Sequence, residues 1–183
     1  MIDYTIKIEK ALVLNEVKKT SAYIGKKLTT AEDPGAFERV SLVDANEEQL
    51  DRYWTEACSA ATLALSHWQL LSKAQPLHAG DDYNVTLRLP DNWNATLGSS
   101  LQGAVASYLE NMVLTQWLMI VDRGDVEAHT ALATRAMAEV NRIILERVRP
   151  AKRPRPAHGG DVVVDDRRWH DDLRWYDINY WLE

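Results

Sequence analysis

The densest set of groups able to hold a cation or move a proton lies late in the chain: His158, Asp161, Asp165, Asp166, His170, Asp171 and Asp172. Imidazole with carboxylate is a plausible donor set for a divalent ion. Their spacing follows no metal clip, and they flank proline- and glycine-rich chain, so a solvated acidic arm is expected here and no metal. The single cysteine, Cys58, falls within "YWTEACSAATLALSHW" on the apolar face of a helical pattern. A reactive thiol needs an exposed, electropositive setting, so Cys58 reads as a small buried hydrophobe. His67, beside Trp68, and His129 read as boundary histidines. No glycine-rich phosphate loop, G-x-S-x-G elbow or H-E-x-x-H pair occurs. Neither a cofactor nor an enzymatic activity is expected.

Another chemistry is offered by "RPAKRPRPAHGG", residues 149 to 160, where Arg149, Lys152, Arg153 and Arg155 alternate with three prolines. Cations on an extended chain can neutralise phosphates, which makes a nucleic-acid accessory protein the alternative reading. A stacking platform would interleave aromatics with the cations. Here the aromatics come later, in a segment with seven carboxylates and three arginines. Nucleic acid is therefore not expected as a specific ligand. The net charge of −6 points the same way and disfavours an anionic membrane.

The chain has 183 residues, 46% of them hydrophobic and 26% charged, which suits one globular body with an appendage. One cysteine excludes an intrachain disulfide framework. The opening "MIDYTIKIEK" has no charged leader before an apolar run, so an intracellular protein is expected. Two glycosylation-type triplets, at Asn84 and Asn94, then carry no meaning. The most apolar stretch, "VLTQWLMIV" (113 to 121), reads as too short to span a bilayer.

The elements that must position any site follow from periodicity. Alternation in "YTIKI" sets Tyr4, Ile6 and Ile8 on one side of a strand, and "YNVTLRL" does the same with Tyr83, Val85, Leu87 and Leu89. Two strands alone are marginal in water, so they must lie on helices or join strands of a neighbouring subunit. Leu14, Val17, Ile24 and Leu28 mark a short first helix, with Lys18, Lys19, Lys26 and Lys27 on a solvated face. Leu50, Trp54, Ala57, Ala61, Ala64, Trp68 and Leu71 mark a long second one. It opens on a capping box in "DANEEQ", Asp44 with Glu47 or Asn46 with Gln49, and is stopped by Pro76.

A third helix runs through Leu97, Leu101, Val105, Tyr108, Met112 and Val113, and broadens to apolar on most sides by Trp117. A fourth carries Val126, Ala133, Met137, Val140 and Ile144 and ends before Pro150. The tight break "DRGD" (122 to 125) folds these two into an antiparallel hairpin. Between the first two helices, "TTAEDPGAFERVSLVDAN" reads as a long loop with a turn at Asp33-Pro34-Gly35. The expected fold is mainly α: a bundle of about four helices with a small two-stranded β element, spanning residues 1 to 148. Trp54, Trp68, Tyr108 and Trp117 should be largely buried.

After the strap, residues 161 to 183 hold Val162 to Val164 and then Trp169, Trp175, Tyr176, Tyr180 and Trp181. Free tails are polar and poor in aromatics, so this arm is expected to be buried on something. A helical body with a small β element, a proline-stiffened strap and an aromatic arm resembles the head–tail connector (adaptor) proteins of tailed phages. "NEVKKTSAYIGKK" and "RYWTEAC" are also similar to stretches from phage and prophage structural gene modules. That family offers no short motif to transfer residue by residue. The resemblance implies a virion protein assembled in the host cytoplasm, forming a homo-oligomeric ring and docking to a portal or tail component. The partner-binding residues would then be Arg149, Lys152, Arg153, Arg155, Val163, Trp169, Trp175, Tyr176, Tyr180 and Trp181.

Overall fold

The computed structural model describes residues 1–42, 46–70 and 81–148. Two strands, β1 (Ile2–Ile8) and β2 (Tyr83–Leu89), pair antiparallel with Ile2 opposite Leu89 and Ile8 opposite Tyr83. Their inward residues Ile6, Ile8, Tyr83, Val85, Leu87 and Leu89 are buried, as the alternation requires. The sheet lies on helices, β1 against α4 (Gly98–Val121) and β2 against α3 (Glu47–Leu65). A third short piece extends it. The Leu70 N–H donates to the Thr86 carbonyl at 2.9 Å, and the Arg88 N–H donates to the Trp68 carbonyl at 2.7 Å.

The remaining helices are α1 (Lys10–Leu28), α2 (Ala36–Val40) and α5 (Val126–Leu145). The first helix is long rather than short. It buries Val13, Val17, Ser21, Ile24 and Gly25 and leaves Lys19, Lys26 and Lys27 exposed. The stretch expected to be all loop contains α2. A turn at Asp33, where the Ala36 N–H donates to the Asp33 carbonyl, launches this single turn and a half of helix. The Arg39 guanidinium holds the Asp33 carboxylate at 2.6 Å across it. Such a short element leaves no periodic signal, but it buries Ala36 and Val40.

Helix α3 stops at Leu65, eleven residues before Pro76. The cause is tertiary. Trp68 to Leu70 leave the helical path to bond β2, and those ladder bonds replace the helix's own. Ala64 consequently faces solvent and Trp68 is only half-buried, edge-on to His67. At the other end Asn46 takes the N-cap position without a capping side-chain bond. Asp44 and Leu71 lie outside the described residues.

Helix α4 is the centre of the body, touching α1, α2, α3, α5 and β1. With the 3-10 turn before it, residues Ala95–Val121 make one helical stretch long and apolar enough to cross a membrane by length and composition. The apolar run counted from 113 was too narrow a window, because Leu101, Val105 and Leu109 extend it upstream. In this body 44% of its most apolar window is buried. Helix α5 returns along α4 after the break at 122–125, where the Gly124 N–H donates to the Asp122 carboxylate. It ends at Leu145, and the chain then runs beside residues 92–94.

Three buried indoles tie these layers together. Trp54 donates its N–H to the Asp81 carbonyl (3.0 Å), Trp93 to the Ile143 carbonyl (2.9 Å) and Trp117 to the Val40 carbonyl (2.8 Å). Each therefore buries a large apolar ring without stranding its one donor.

Candidate functional site and interaction surfaces

The residues assigned to partner binding from sequence, Arg149 through Trp181, lie outside the described residues, as does the His158–Asp172 cluster. Among the described residues no group of three or more His, Cys, Asp or Glu is placed to hold a metal ion. Cys58 is fully buried, and loss of hydration pushes its thiol up to about 12, against a smaller pull downward from Lys10. It is a thiol at neutral pH, and its expected role as a core residue holds. His129 is half-buried on α5, its Nδ1 3.0 Å from the Asn111 side-chain oxygen on α4. Burial lowers its pKa, with Asp125 acting in the opposite direction. It belongs to the α4–α5 seam. His67 is exposed.

Among the described residues, a cleft of about 390 Å³ lies between the start of α1 and the start of α3. Its walls include Leu14 and Leu50, with Lys10, Glu47, Asp51 and Asp82 supplying charge. The ammonium of Lys10 meets the Asp51 carboxylate at 2.7 Å. Asp82, just before β2, accepts the Lys10 backbone N–H at 2.9 Å. That N–H sits at the first turn of α1, where Glu9 offers no side-chain cap, so Asp82 caps the helix from afar. The two carboxylates are thus occupied in holding helix ends together.

A second kind of surface is found along α5. Thr130, Thr134 and Ala138 form a ridge at four-residue spacing between two shallow apolar grooves. One groove is floored by Tyr108, Met112 and Met137, and the other is bordered by Val126, Ala131 and Arg135. Leu132 beside them is 46% exposed.

The third surface is the side of β1 turned away from β2, which sequence reading passed over. Antiparallel strands alternate residues that bond one neighbour with residues that bond the other. Because Thr86 and Arg88 bond the Trp68–Leu70 segment, they point away from β1. Their opposites Thr5 and Asp3, and by the same alternation Lys7, therefore direct their main-chain groups away from β2. The contact between the Thr5 and Thr86 hydroxyl oxygens (3.0 Å) fits a close, non-hydrogen-bonded pair. No other described strand meets this edge. The signal was present in "IDYTIKI", as an acid and a base placed symmetrically about a threonine. Compared with known families, characterised proteins and solved structures, the chain matches none.

Proposed function

We propose that this protein is a structural assembly subunit of the head–tail connector type, forming a ring and docking to a portal or tail component through residues 149 to 183. The observation that carries the reading is the arm's composition. Five large aromatics occur in the last fifteen residues, behind a strap of alternating prolines and cations. Tryptophan and tyrosine supply most interface anchors, so Trp169, Trp175, Tyr176, Tyr180 and Trp181 would provide the buried contacts. Val163, with its valine neighbours, would add to a sheet edge through main-chain bonds. Arg149, Lys152, Arg153 and Arg155 would set register against an acidic surface.

Truncation after Arg149 tests the proposal. The shortened chain is expected to keep its helical circular dichroism and its melting temperature within about 2 °C, while losing higher-mass assembly in light scattering. A truncated chain that unfolds or aggregates would place the arm in the core and overturn the docking reading.

A further inference from the structure

We infer that Ser66 to Leu70 is a two-state guard on the outer edge of β2. Bonded as a strand it fills that edge, and rewound onto α3 it yields the edge to an incoming strand. The guard stands apart from the docking reading, and only the identity of the incoming strand rests on it.

Two instructions conflict in this segment. The local one is helical. From Ser66 to Gln75 there is no glycine, proline or β-branched residue, and glutamine and leucine are good helix formers. Trp68 falls three residues after buried Leu65 and seven after buried Ala61, so a continued helix keeps its ring on the apolar stripe. The backbone is still partly coiled. Ser66 has helical dihedrals (φ −54°, ψ −34°), and the N–H groups of Ser66, Trp68 and Gln69 donate three residues back, to the carbonyls of Leu63, Leu65 and Ser66. The tertiary instruction is a strand. The Leu70 N–H and the Trp68 carbonyl bond Thr86 and Arg88, with Gln69 opposite Leu87.

The two states differ little in main-chain bonds. Rewinding trades the bonds to β2 for helical ones, from the Gln69 N–H to the Leu65 carbonyl and from the Leu70 N–H to the Ser66 carbonyl. The β1–β2 ladder is untouched, because Thr86 and Arg88 point away from β1. The chain has the reach as well. Asp81 is fixed beside Trp54, whose indole donates to its carbonyl at 3.0 Å. A rewound Leu70 would lie roughly 24 Å along the helix axis from Trp54, at about 1.5 Å per residue. Residues 71 to 80 can span up to about 33 Å.

A vacated edge is a template for another strand. The guard is a poor strand, and Val162-Val163-Val164 is a better one, since β-branched side chains suit a pleated surface. Asp161 and Asp165 flank the valines, and Arg88 lies on the edge they would meet. Arg88 meets Asp3 at 3.7 Å, and a guanidinium has donors for a second acid. The incoming strand is this valine run from a second copy, added by strand exchange.

Amide hydrogen exchange on the full chain tests the guard. Rewinding bares the Arg88 N–H but gives the Leu70 N–H a helical acceptor, so Arg88 should exchange several times faster than Leu70. Simple fraying would release both equally. Both should exchange at least about tenfold faster than Val85 and Leu87, which face β1. Ser66→Ala with His67→Ala, both exposed positions, should speed Arg88 about fivefold and leave Val85 and Leu87 unchanged. Gln69→Pro forbids the helix but removes no bond to β2, and should slow Arg88 at least about tenfold. Equal rates at Leu70 and Arg88, or indifference to all these substitutions, would overturn the guard. A synthetic peptide of residues 160 to 166 should shift the Arg88 amide resonance, more readily in the double alanine variant and less in Gln69→Pro. A peptide that leaves Arg88 unmoved removes the valine run as occupant. Assembly that survives Gln69→Pro but not truncation after Arg149 leaves the docking reading standing and sinks this edge as its site. Assembly lost in Gln69→Pro but kept after truncation does the opposite.

Discussion

Helices α3 and α5 are nearly equal in length, 19 and 20 residues, and both are strongly amphipathic, yet they end up in opposite circumstances. On α3 the apolar face is closed along its whole length, from Leu50 through Trp54 and Ala57 to Leu65. On α5 only the C-terminal half is closed, by Val140, Ile143 and Ile144 under Trp93. Its first half buries Ala133 and leaves Thr130, Ala131, Leu132 and Thr134 open, and the open ridge continues to Ala138. Helical period decides which face is apolar. Large residues arriving from distant chain decide whether that face is covered, and α3 receives them from β2 and α4 while the first half of α5 receives little.

The strongest way to break this contrast is Trp54→Ala. The ring is fully buried and its N–H is used, so the loss should be about 3–5 kcal/mol in denaturant unfolding. Trp68→Ala, at a half-buried ring beyond the helix end, should cost less than half as much. Equal losses would show that the closed face extends past Leu65.

A smaller effect is expected where the closed half of α5 is pinned. Trp93→Phe keeps a large ring but removes the donor to the Ile143 carbonyl, which the Glu146 N–H also reaches at 3.1 Å. The acceptor is thus not left alone, and the cost should be about 1 kcal/mol with an unchanged denaturant slope. A loss as large as that of Trp54→Ala would mean that Trp93 holds the helix end by itself.

The smallest effect sharpens the comparison most. Ala138→Leu on the open ridge should change the stability of the subunit by no more than about 0.5 kcal/mol, because that position is exposed. A marked melting-point drop would show that the groove is already filled in the free protein.

These differences mark where sequence reading succeeds. The alternation of β1 and β2, the seam of α4 and α5, and the burial of Trp54, Tyr108 and Trp117 all follow from local period. The end of α3 does not, because bonds from Trp68 and Leu70 to β2 override a pattern that would continue to Leu71. Helix α2 is too short to show a period. Trp93 stands alone in "PDNWNA", where no neighbour marks it as core, although it is 2% exposed and rings against Tyr4 at 5.1 Å. Of the candidate surfaces, the arm was visible as composition. The β1 edge needed the strand pairing to be seen.

The pairing of Ile2 with Leu89 also orders events in time. Local α4–α5 contacts close a short loop and form early, whereas β1 needs a partner nearly half the chain away. At ribosomal speeds β2 emerges on the order of ten seconds after β1. During that interval a strand of alternating isoleucines waits with both sides unsatisfied.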